Sequence, residues 1–442
     1  MPLSKAEARK IIKEALAAAT FADVRVAIQA GRERNLRFAN NQATTAGDVE
    51  RLSISVTAIA GGRAATVTGN RRDKAGLTAL VAQAEAQSAL APVDPEVMPP
   101  VPAQRYLEVD AFDAKTAALD AKGLVDVVAR AVRVANRRKL VGAGIVEVGE
   151  RVDVVANKAG LFAHVASTAA SLTTTMRSKD GAGSGWAGAV SHRVADLDAD
   201  ALADVAADKC EMSQGTRELK PGRYVVLLEP QAVADLLGFL RFSMSARAAD
   251  EGRSYFSKPG GGNRIGEQLF SPSITLRSDP GDAHDPSSPV GEDGLPLAPM
   301  TWVEHGVLQA LPRGRFWAKT TGAPAIPRPR SLLMSGGQQT IEALITGIER
   351  GVLVTRLWYN RLLDPRTILT TGLTRDGTFA IEKGALAGPV KNMRYNESPV
   401  TLLKNAVAFG VPQRAVTRGG DVLVVPPIVA DGFQFASVSD AV

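Results

Sequence analysis

The fold is decided by the stretch Tyr224-Val-Val-Leu-Leu-Glu-Pro-Gln-Ala-Val-Ala-Asp-Leu-Leu-Gly-Phe-Leu-Arg-Phe-Ser243. Its first part is a short apolar run, which predicts a buried strand over 223–229. Apolar residues then recur at helical spacing, so we predict a helix over 231–247 whose main role is packing. Phe239 and Arg241 fall outside its apolar stripe. The predicted stripe is Val233, Leu236, Leu237, Leu240 and Met244.

The N-terminal 90 residues predict one small unit of helices and strands. Ser4 and Glu7 form a capping box ahead of an amphipathic helix. Two runs then alternate apolar and polar residues, which indicates strands, and Ala60-Gly-Gly-Arg63 is typical of the hairpin turn after the second. A helix over about 73–88 closes this unit.

A proline-rich segment, 91–113, is interpreted as a linker to a second unit over 114–220. That unit is predicted to begin with a helix over about 114–138 and to end with one over 197–213. Its short strands are predicted near 142–148, 152–156, 161–167, 170–178 and 184–191. Because strands are grouped between helices, the pattern favours an α+β fold over a doubly wound parallel sheet.

The remaining chain, 221–442, is predicted to be a mostly β C-terminal domain with a few helices. Pro259-Gly-Gly-Gly-Asn263 is typical of a flexible turn, and Asp279–Pro299 of an exposed loop, since Pro and Asp crowd it. Further elements are predicted as helices over about 338–349 and 397–408 and a strand at Val422–Val425.

Composition excludes several classes of function. With 442 residues, 45% apolar and 22% charged, the chain is an ordinary globular protein. Its net charge is +6, but the basic residues are dispersed and aromatic residues are only 5%, so nucleic-acid binding is not expected. The sequence has no signal-peptide pattern and no apolar run of about 18 residues, as a membrane helix needs. A single cysteine, Cys210, excludes an intrachain disulfide, and we expect a cytoplasmic protein.

Side chains with the potential for chemistry are sparse. The four histidines show no recognised metal-ligand spacing; they are His164, His192, His284 and His305. The strongest acidic cluster is Asp279, Asp282, His284 and Asp285 on the proline-rich loop, with Glu304 and His305 as candidate neighbours. Such loop acids are also common as solvated turn formers. No nucleophile elbow and no phosphate-binding loop is present, so no catalytic residue is predicted.

Several short patches, taken in order, resemble the TldD/PmbA family, which is also described as modulators of DNA gyrase. The patches are Arg37–Asn41, Gly291–Gly294, Glu304–Gln309, Gly347–Thr355 and Gly388–Val390. In the zinc-bearing TldD members, the helix described first carries His-Glu-x-x-x-His, and a C-terminal cysteine completes the site. The resemblance places Gly238, Phe239 and Ser243 at those helix positions, and residues 391–442 contain no cysteine. The chain therefore resembles the zinc-free TldE (PmbA) branch, and we predict no metal or cofactor in it.

The resemblance implies a heterodimer in which a TldD-like partner carries the zinc. Together the two chains would degrade unfolded peptides or remove leader peptides, and this chain would be inactive alone. The zinc-free subunit would form half of a peptide channel and hold the substrate by strand addition. Candidate contacts to substrate or partner are Arg241, His284, Glu304 and His305. The segment Tyr359–Pro365 departs from the family's glycine-rich run, which leaves partner and substrate open.

Two alternatives remain from the sequence. One is a non-enzymatic regulator of the gyrase-modulator type. The other is an independent hydrolase with a rebuilt site around His284 and Glu304. Arg241 also has a simpler interpretation, as an exposed surface arginine.

Overall fold

A single antiparallel sheet organises the N-terminal half of the computed structural model, which describes residues 3–417 and 421–439. Its strands are β1 (Asp23–Ala39), β2 (Gln42–Ala60), β3 (Arg63–Gly69), β4 (Val141–Asn157), β5 (Phe162–Arg177) and β6 (Ser184–Ser191). They pair in the order β3-β2-β1-β4-β5-β6, so strands from both predicted N-terminal units share one sheet.

The four short strands predicted between 142 and 178 are two long ones, β4 and β5, whose pairing is continuous from Val141 to Ala156. The prediction of a break at 149–151 is wrong because Gly149, which the sequence suggests as a turn residue, pairs within the ladder, as do Glu147 and Arg151. These two side chains belong to one face of the sheet, where polar groups do not interrupt the ladder.

Helices cover the other face of this sheet. They are α1 (Lys5–Ala18), α2 (Lys74–Leu90), α3 (Ala114–Ala118), α4 (Ala121–Arg137) and α5 (Ala199–Met212). The predicted capping box of Ser4 and Glu7 is confirmed at the start of α1. The helix predicted over 114–138 is split, because Asp120 accepts a hydrogen bond from the backbone of Gly123 and begins α4 anew. Cys210 is fully buried in α5, and burial raises the pKa of its thiol to about 11.

The C-terminal part begins with β7 (Gly222–Leu228) and α6 (Pro230–Ser243), as the sequence predicts. However, α6 ends before the predicted residue 247. Ser245 accepts a hydrogen bond from the backbone of Ala248 and begins a separate short helix, α7 (Ala246–Asp250). The α6 stripe is buried as predicted, with every member at most 2% exposed.

Two sheets complete the C-terminal part. Its other elements are β8 (Leu276–Ser278), β9 (Met300–Glu304), β10 (Val307–Leu308), α8 (Arg315–Thr321), β11 (Ser331–Met334), α9 (Ile341–Thr346), β12 (Arg350–Asp364), β13 (Leu369–Glu382), β14 (Ala385–Pro389), β15 (Met393–Glu397), α10 (Pro399–Lys404), β16 (Ala406–Phe409), β17 (Gln413–Arg414), β18 (Val422–Val425) and β19 (Ile428–Val438). One sheet has the order β10-β9-β8-β11-β18-β17. The other runs β12-β7-β19-β15-β13, and β13 also pairs with β12, so this circuit of strands closes on itself.

The fold is α+β, as predicted, but several element predictions need correction. The helices predicted over 338–349 and 397–408 are the shorter α9 and α10, which Thr340 and Ser398 cap. The strand at Val422–Val425 is confirmed, whereas β19 was not predicted because Asp431-Gly432 interrupts its alternation at a bulge.

The segment 279–299 is a loop, as predicted, but it is not fully exposed. Leu297 and Pro286 are buried, and the phenol of Tyr106 donates a 2.7 Å hydrogen bond to the carbonyl of Gly294. This loop therefore packs against the segment 91–113. None of the helices in the described ranges is long and apolar enough to span a membrane.

Candidate functional site

Helix α6, strand β6 and the segment before residue 418 meet at the junction of the N-terminal sheet with the C-terminal part. The side-chain amide of Gln231 accepts a 3.0 Å hydrogen bond from the backbone N–H of Val416 and donates to its carbonyl at 3.3 Å. The Val416 side chain in turn packs on Gly188 of β6, within 3.1 Å of where a Cβ would stand. Helix α6, where the resemblance places the metal motif of the zinc-bearing proteins, therefore lies beside the outer face of the N-terminal sheet.

The three positions that align with the zinc motif offer no zinc ligand. Gly238 has no side chain, and apart from its chain neighbours and the backbone of α6, no described atom lies within 4 Å of where its Cβ would be. Phe239 packs against the core of the C-terminal part, and Ser243 is the last residue of α6. Within residues 3–417 and 421–439, no group of three or more His, Cys, Asp or Glu is arranged to hold a metal ion. The residues at this site do not fit zinc.

Arg241 is engaged inside the chain, so its interpretation as an exposed arginine is wrong. Its guanidinium pairs with the carboxylate of Asp421 and donates a 3.1 Å hydrogen bond to the carbonyl of Pro329. The two paired side chains are 18% and 29% exposed. Arg241 and Gln231 thus tie the two described ends of the segment around 416–421 to opposite ends of α6.

We expect Arg241→Leu to lower the free energy of unfolding by about 2 kcal/mol, because it leaves the partly buried Asp421 carboxylate without its cation. Urea unfolding checks this value. The matched control is Arg217→Leu, because the Arg217–Glu382 pair is 47% and 52% exposed, and its loss should cost less than about 1 kcal/mol. Equal losses in the two variants would contradict a structural role for the Arg241–Asp421 pair.

A buried carboxylate, Asp235, lies on α6 one turn before Gly238. Its Oδ2 accepts a 2.9 Å hydrogen bond from the backbone N–H of Leu357 on β12, and its Oδ1 accepts one from Gln231 at 3.0 Å. Burial raises the pKa of Asp235 to about 6, although these two hydrogen bonds and the charge of Arg356 act in the opposite direction. No pattern in the sequence predicts this role, since one aspartate in an apolar helix has many interpretations.

The raised pKa of Asp235 predicts a pH-dependent stability. The folded protein binds the Asp235 proton more tightly than the unfolded chain does, and this stabilises the folded state. The stabilisation is fully present below the unfolded pKa near 4 and is lost as the pH rises through the folded pKa of about 6. Asp235→Asn removes this titration. From pH 4 to pH 7.5, the unfolding free energy of the variant should therefore gain about 2 kcal/mol relative to wild type.

Chemical unfolding at several pH values measures this difference. Asparagine cannot accept both hydrogen bonds of Asp235, which lowers the unfolding free energy of the variant by a similar amount at every pH. Only the pH dependence of the difference between variant and wild type therefore reports the titration of Asp235. A pH-independent difference between the two proteins would show that Asp235 titrates normally. Asp126→Asn, which changes an exposed aspartate on α4, serves as the control.

An ion pair and a set of hydrogen bonds join α5 and the N-terminal sheet to the start of α6 and to strands β12 and β13. Lys209 of α5 pairs with Glu229, the residue that precedes α6, at 2.6 Å, and each side chain is only 12% exposed. Arg356 of β12 donates a 2.5 Å hydrogen bond to Asp376, which accepts another from Ser184 of β6 at 2.6 Å. Sequence reasoning missed both links because their members lie far apart in the chain.

Two tryptophan rings flank the guanidinium of Arg356. The Arg356 Cζ atom lies 4.9 Å from the Trp186 ring centroid and 4.8 Å from that of Trp358. Trp186 belongs to β6 and Trp358 to β12, so this cation–π stack also joins the two halves of the chain.

The remaining candidate residues do not form a cluster. His284 lies exposed on the 279–299 loop, whereas Glu304 and His305 are exposed at the turn between β9 and β10. His305 adopts a positive φ of 49°, as the second residue of that tight turn. Asp285 of the loop instead faces Arg414 at 3.3 Å. The rebuilt metal site that these residues suggested is therefore not assembled within the described residues.

Comparisons with known proteins agree with this architecture. Residues 221–437 match the model of the PmbA/TldA metallopeptidase C-terminal domain, and residues 24–88 match that of PmbA/TldA metallopeptidase domain 1. No curated protein sequence matches the chain significantly.

Three solved structures share the fold over nearly the whole chain. A Thermotoga maritima protein described as a candidate modulator of DNA gyrase has a TM-score of 0.85 and 17% identity, covering 97% of this chain and 100% of its own. TldE from Thermococcus kodakarensis gives 0.82 and 18%, with 97% and 99% covered. A candidate gyrase modulator from Bacteroides thetaiotaomicron gives 0.83 and 20%, with 99% and 100% covered. With both domain models in family order and the fold shared along its length, the chain belongs to the PmbA/TldD family.

Proposed function

We propose that this chain is a zinc-free, TldE-type subunit that completes a peptidase by pairing with a TldD-like, zinc-bearing chain. The main support for the proposal is that α6 lacks zinc ligands at the positions where the zinc-bearing branch has them. Where the zinc-bearing branch has ligands, this helix has Gly238, Phe239 and Ser243, and its ends are tied to the chain's own C-terminal segment through Gln231 and Arg241. The similarity to a TldE structure supports the same branch.

The outer face of the N-terminal sheet suits the wall of a peptide channel. It carries small or polar side chains on β2 and β5, which β1 and β4 separate, among them Ser53, Ser55, Ser167, Ala169 and Ser171, and these are half-buried or exposed. Such a face leaves room for an extended peptide while the partner's zinc would supply the Lewis acid and the activated water. We propose unfolded peptides or leader peptides as the substrates, because a closed channel admits only extended chains.

The proposal predicts a zinc-free protein that lacks activity by itself. Elemental analysis of the purified chain should find well below about 0.2 zinc per chain, since no residue at the α6 positions supplies imidazole or carboxylate. A stoichiometric zinc that is lost on mutating His284 or His305 would instead support the independent hydrolase. Since His284 and His305 belong to no metal-binding group in the described residues, we expect their substitution to change nothing.

The gyrase-modulator alternative is tested by DNA binding. If the charge of +6 is dispersed, any affinity for DNA should be weak, independent of sequence and abolished at about 200 mM salt. Sequence-selective binding that survives this salt, without copurification of a TldD-like chain, would favour the regulator and contradict the peptidase subunit.

A further inference from the structure

A cavity of about 170 Å³ lies in the C-terminal part, between the segments 296–300 and 325–331. Its lining is mostly apolar, and the fully buried Trp302 forms part of its wall. Other apolar lining residues are Pro296, Leu297, Met300, Ile326 and Pro327. An apolar cavity of about 150 Å³ is enough to hold benzene, so this one has room for a single large apolar side chain.

The polar side chains around this cavity are engaged by the protein, with one exception. Ser278 accepts a 2.9 Å hydrogen bond from the indole N–H of Trp302, and Ser331 accepts one from the backbone of Asp279. The exception is Arg330, which lines the cavity and is half-buried. In the ranges that the structure describes, its guanidinium makes no ion pair and no hydrogen bond, and the nearby Asp279 carboxylate faces Arg277 at 3.8 Å.

An apolar cavity beside an unpaired arginine matches a ligand that has a large apolar group next to a carboxylate. We propose that this cavity binds the C-terminal residue of a peptide, with the side chain inserted against Trp302 and the α-carboxylate on Arg330. The planar guanidinium can donate two parallel hydrogen bonds to a carboxylate, which gives both affinity and orientation. An amide or an ester at the same position would lose that charge-assisted pair.

The position of the cavity connects it with the candidate site. Pro329, which also lines the cavity, accepts a hydrogen bond from Arg241 of α6, and Arg328 donates a 2.9 Å hydrogen bond to the carbonyl of Arg241. The wall of the cavity is thus bonded to the end of α6. Its role as a substrate subsite rests on the proposed function, whereas the binding itself is independent of it.

The test uses the full-length chain alone and calorimetric titration with three peptides. These are N-acetyl-Ala-Ala-Phe with a free carboxylate, the same peptide as its C-terminal amide, and N-acetyl-Ala-Ala-Ser with a free carboxylate. The wild-type chain should bind the Phe acid at least about tenfold more tightly than either of the other two peptides. Decanoate, which has the same two chemical features, is titrated separately to distinguish a fatty acid from a peptide.

Variants locate the binding. Arg330→Gln should reduce the ratio between acid and amide to about one, Arg330→Lys should retain part of it, and Ala325→Trp should abolish binding by filling the cavity. The control Arg366→Gln changes an exposed arginine on the β12–β13 hairpin and should bind like wild type. If Arg330→Gln does not fold, the wild-type peptide series and the Arg330→Lys variant still test the proposal by themselves.

Equal affinity for the acid and the amide, an unchanged ratio in Arg330→Gln, or binding of decanoate without binding of the peptide would each overturn this proposal. None of these measurements needs a partner or turnover. If peptide binding fails these tests, the proposed peptidase subunit still stands. If peptides bind as expected but mixing with a partner gives no hydrolysis, only the proposed peptidase subunit is overturned.

Discussion

Lys209→Met is expected to lower the free energy of unfolding by about 3 kcal/mol, because it strips the cation from a buried ion pair. Lys209 and Glu229 lie 2.6 Å apart between α5 and the start of α6, with 12% of each side chain exposed. Without Lys209, the Glu229 carboxylate would keep a 3.3 Å hydrogen bond from Thr355 and the favourable field of the α6 N-terminus. These remaining interactions place the cost at the lower end of the range for a broken buried pair.

Urea unfolding of matched variants measures this effect. Arg137→Met removes a pair of similar length, Arg137–Asp204 at 2.7 Å, whose side chains are 59% and 40% exposed. This variant should cost less than about 1 kcal/mol. The double variant Lys209→Met with Glu229→Gln should regain part of the loss, since no buried charge is left unpaired. If Lys209→Met and Arg137→Met cost the same, the ion pair does not hold the two halves of the chain together.

The second large effect concerns the triple variant Gly238→His, Phe239→Glu and Ser243→His. We expect it to lose about 3 kcal/mol of stability and to gain no peptidase activity. A Cβ at Gly238 would meet no side chain of the described residues within 4 Å, so this substitution is the mild one. Phe239 packs against the C-terminal core, and a glutamate there loses that burial and places an unpaired carboxylate beside apolar side chains.

Activity is not expected because the variant still lacks a thiolate ligand and the groups that orient metal-bound imidazoles. The chain's single cysteine, Cys210, is buried in α5 and is not available as a ligand. Assays on a fluorogenic unstructured peptide, with zinc added, compare the triple variant with Gly238→His alone as the stability control. Robust turnover by the triple variant, abolished by a chelator, would mean that a complete catalytic cavity exists within one chain.

The fold could be predicted from the sequence where periodicity was strong. The strand at 223–229, the α6 stripe and the helix at 73–88 follow from apolar spacing alone, and each corresponds to an observed element. The long strand β4 could not be predicted as one element, because a glycine such as Gly149 resembles a turn residue although it pairs within the ladder. The split at Asp120 and the break at Ser245 are decided by single hydrogen bonds that compete with helix propagation.

The site could be predicted only in part. The family resemblance directed attention to α6 and its missing ligands, and the helix does lie at the junction of the two halves of the chain. The partners of Arg241, Asp235 and Glu229 could not be predicted, because each is set by tertiary contacts across more than 15 residues of sequence. Local sequence suggests the acids and histidines near 284 and 305 as one group, but the structure exposes His284, Glu304 and His305 on separate turns and directs Asp285 to Arg414.

One measurement tests the central claim most directly, which is that this chain is half of a peptidase. A TldD-like chain with the His-Glu-x-x-x-His motif from the same organism is mixed with this chain, and hydrolysis of an unstructured fluorogenic peptide is followed for each chain alone and for the mixture. The account predicts that the mixture exceeds the sum of the separate rates by at least about a hundredfold, since the metal and an enclosed channel are both needed. It also predicts that a chelator abolishes this activity. Full activity of either chain alone, or no complex and no gain on mixing, would contradict it.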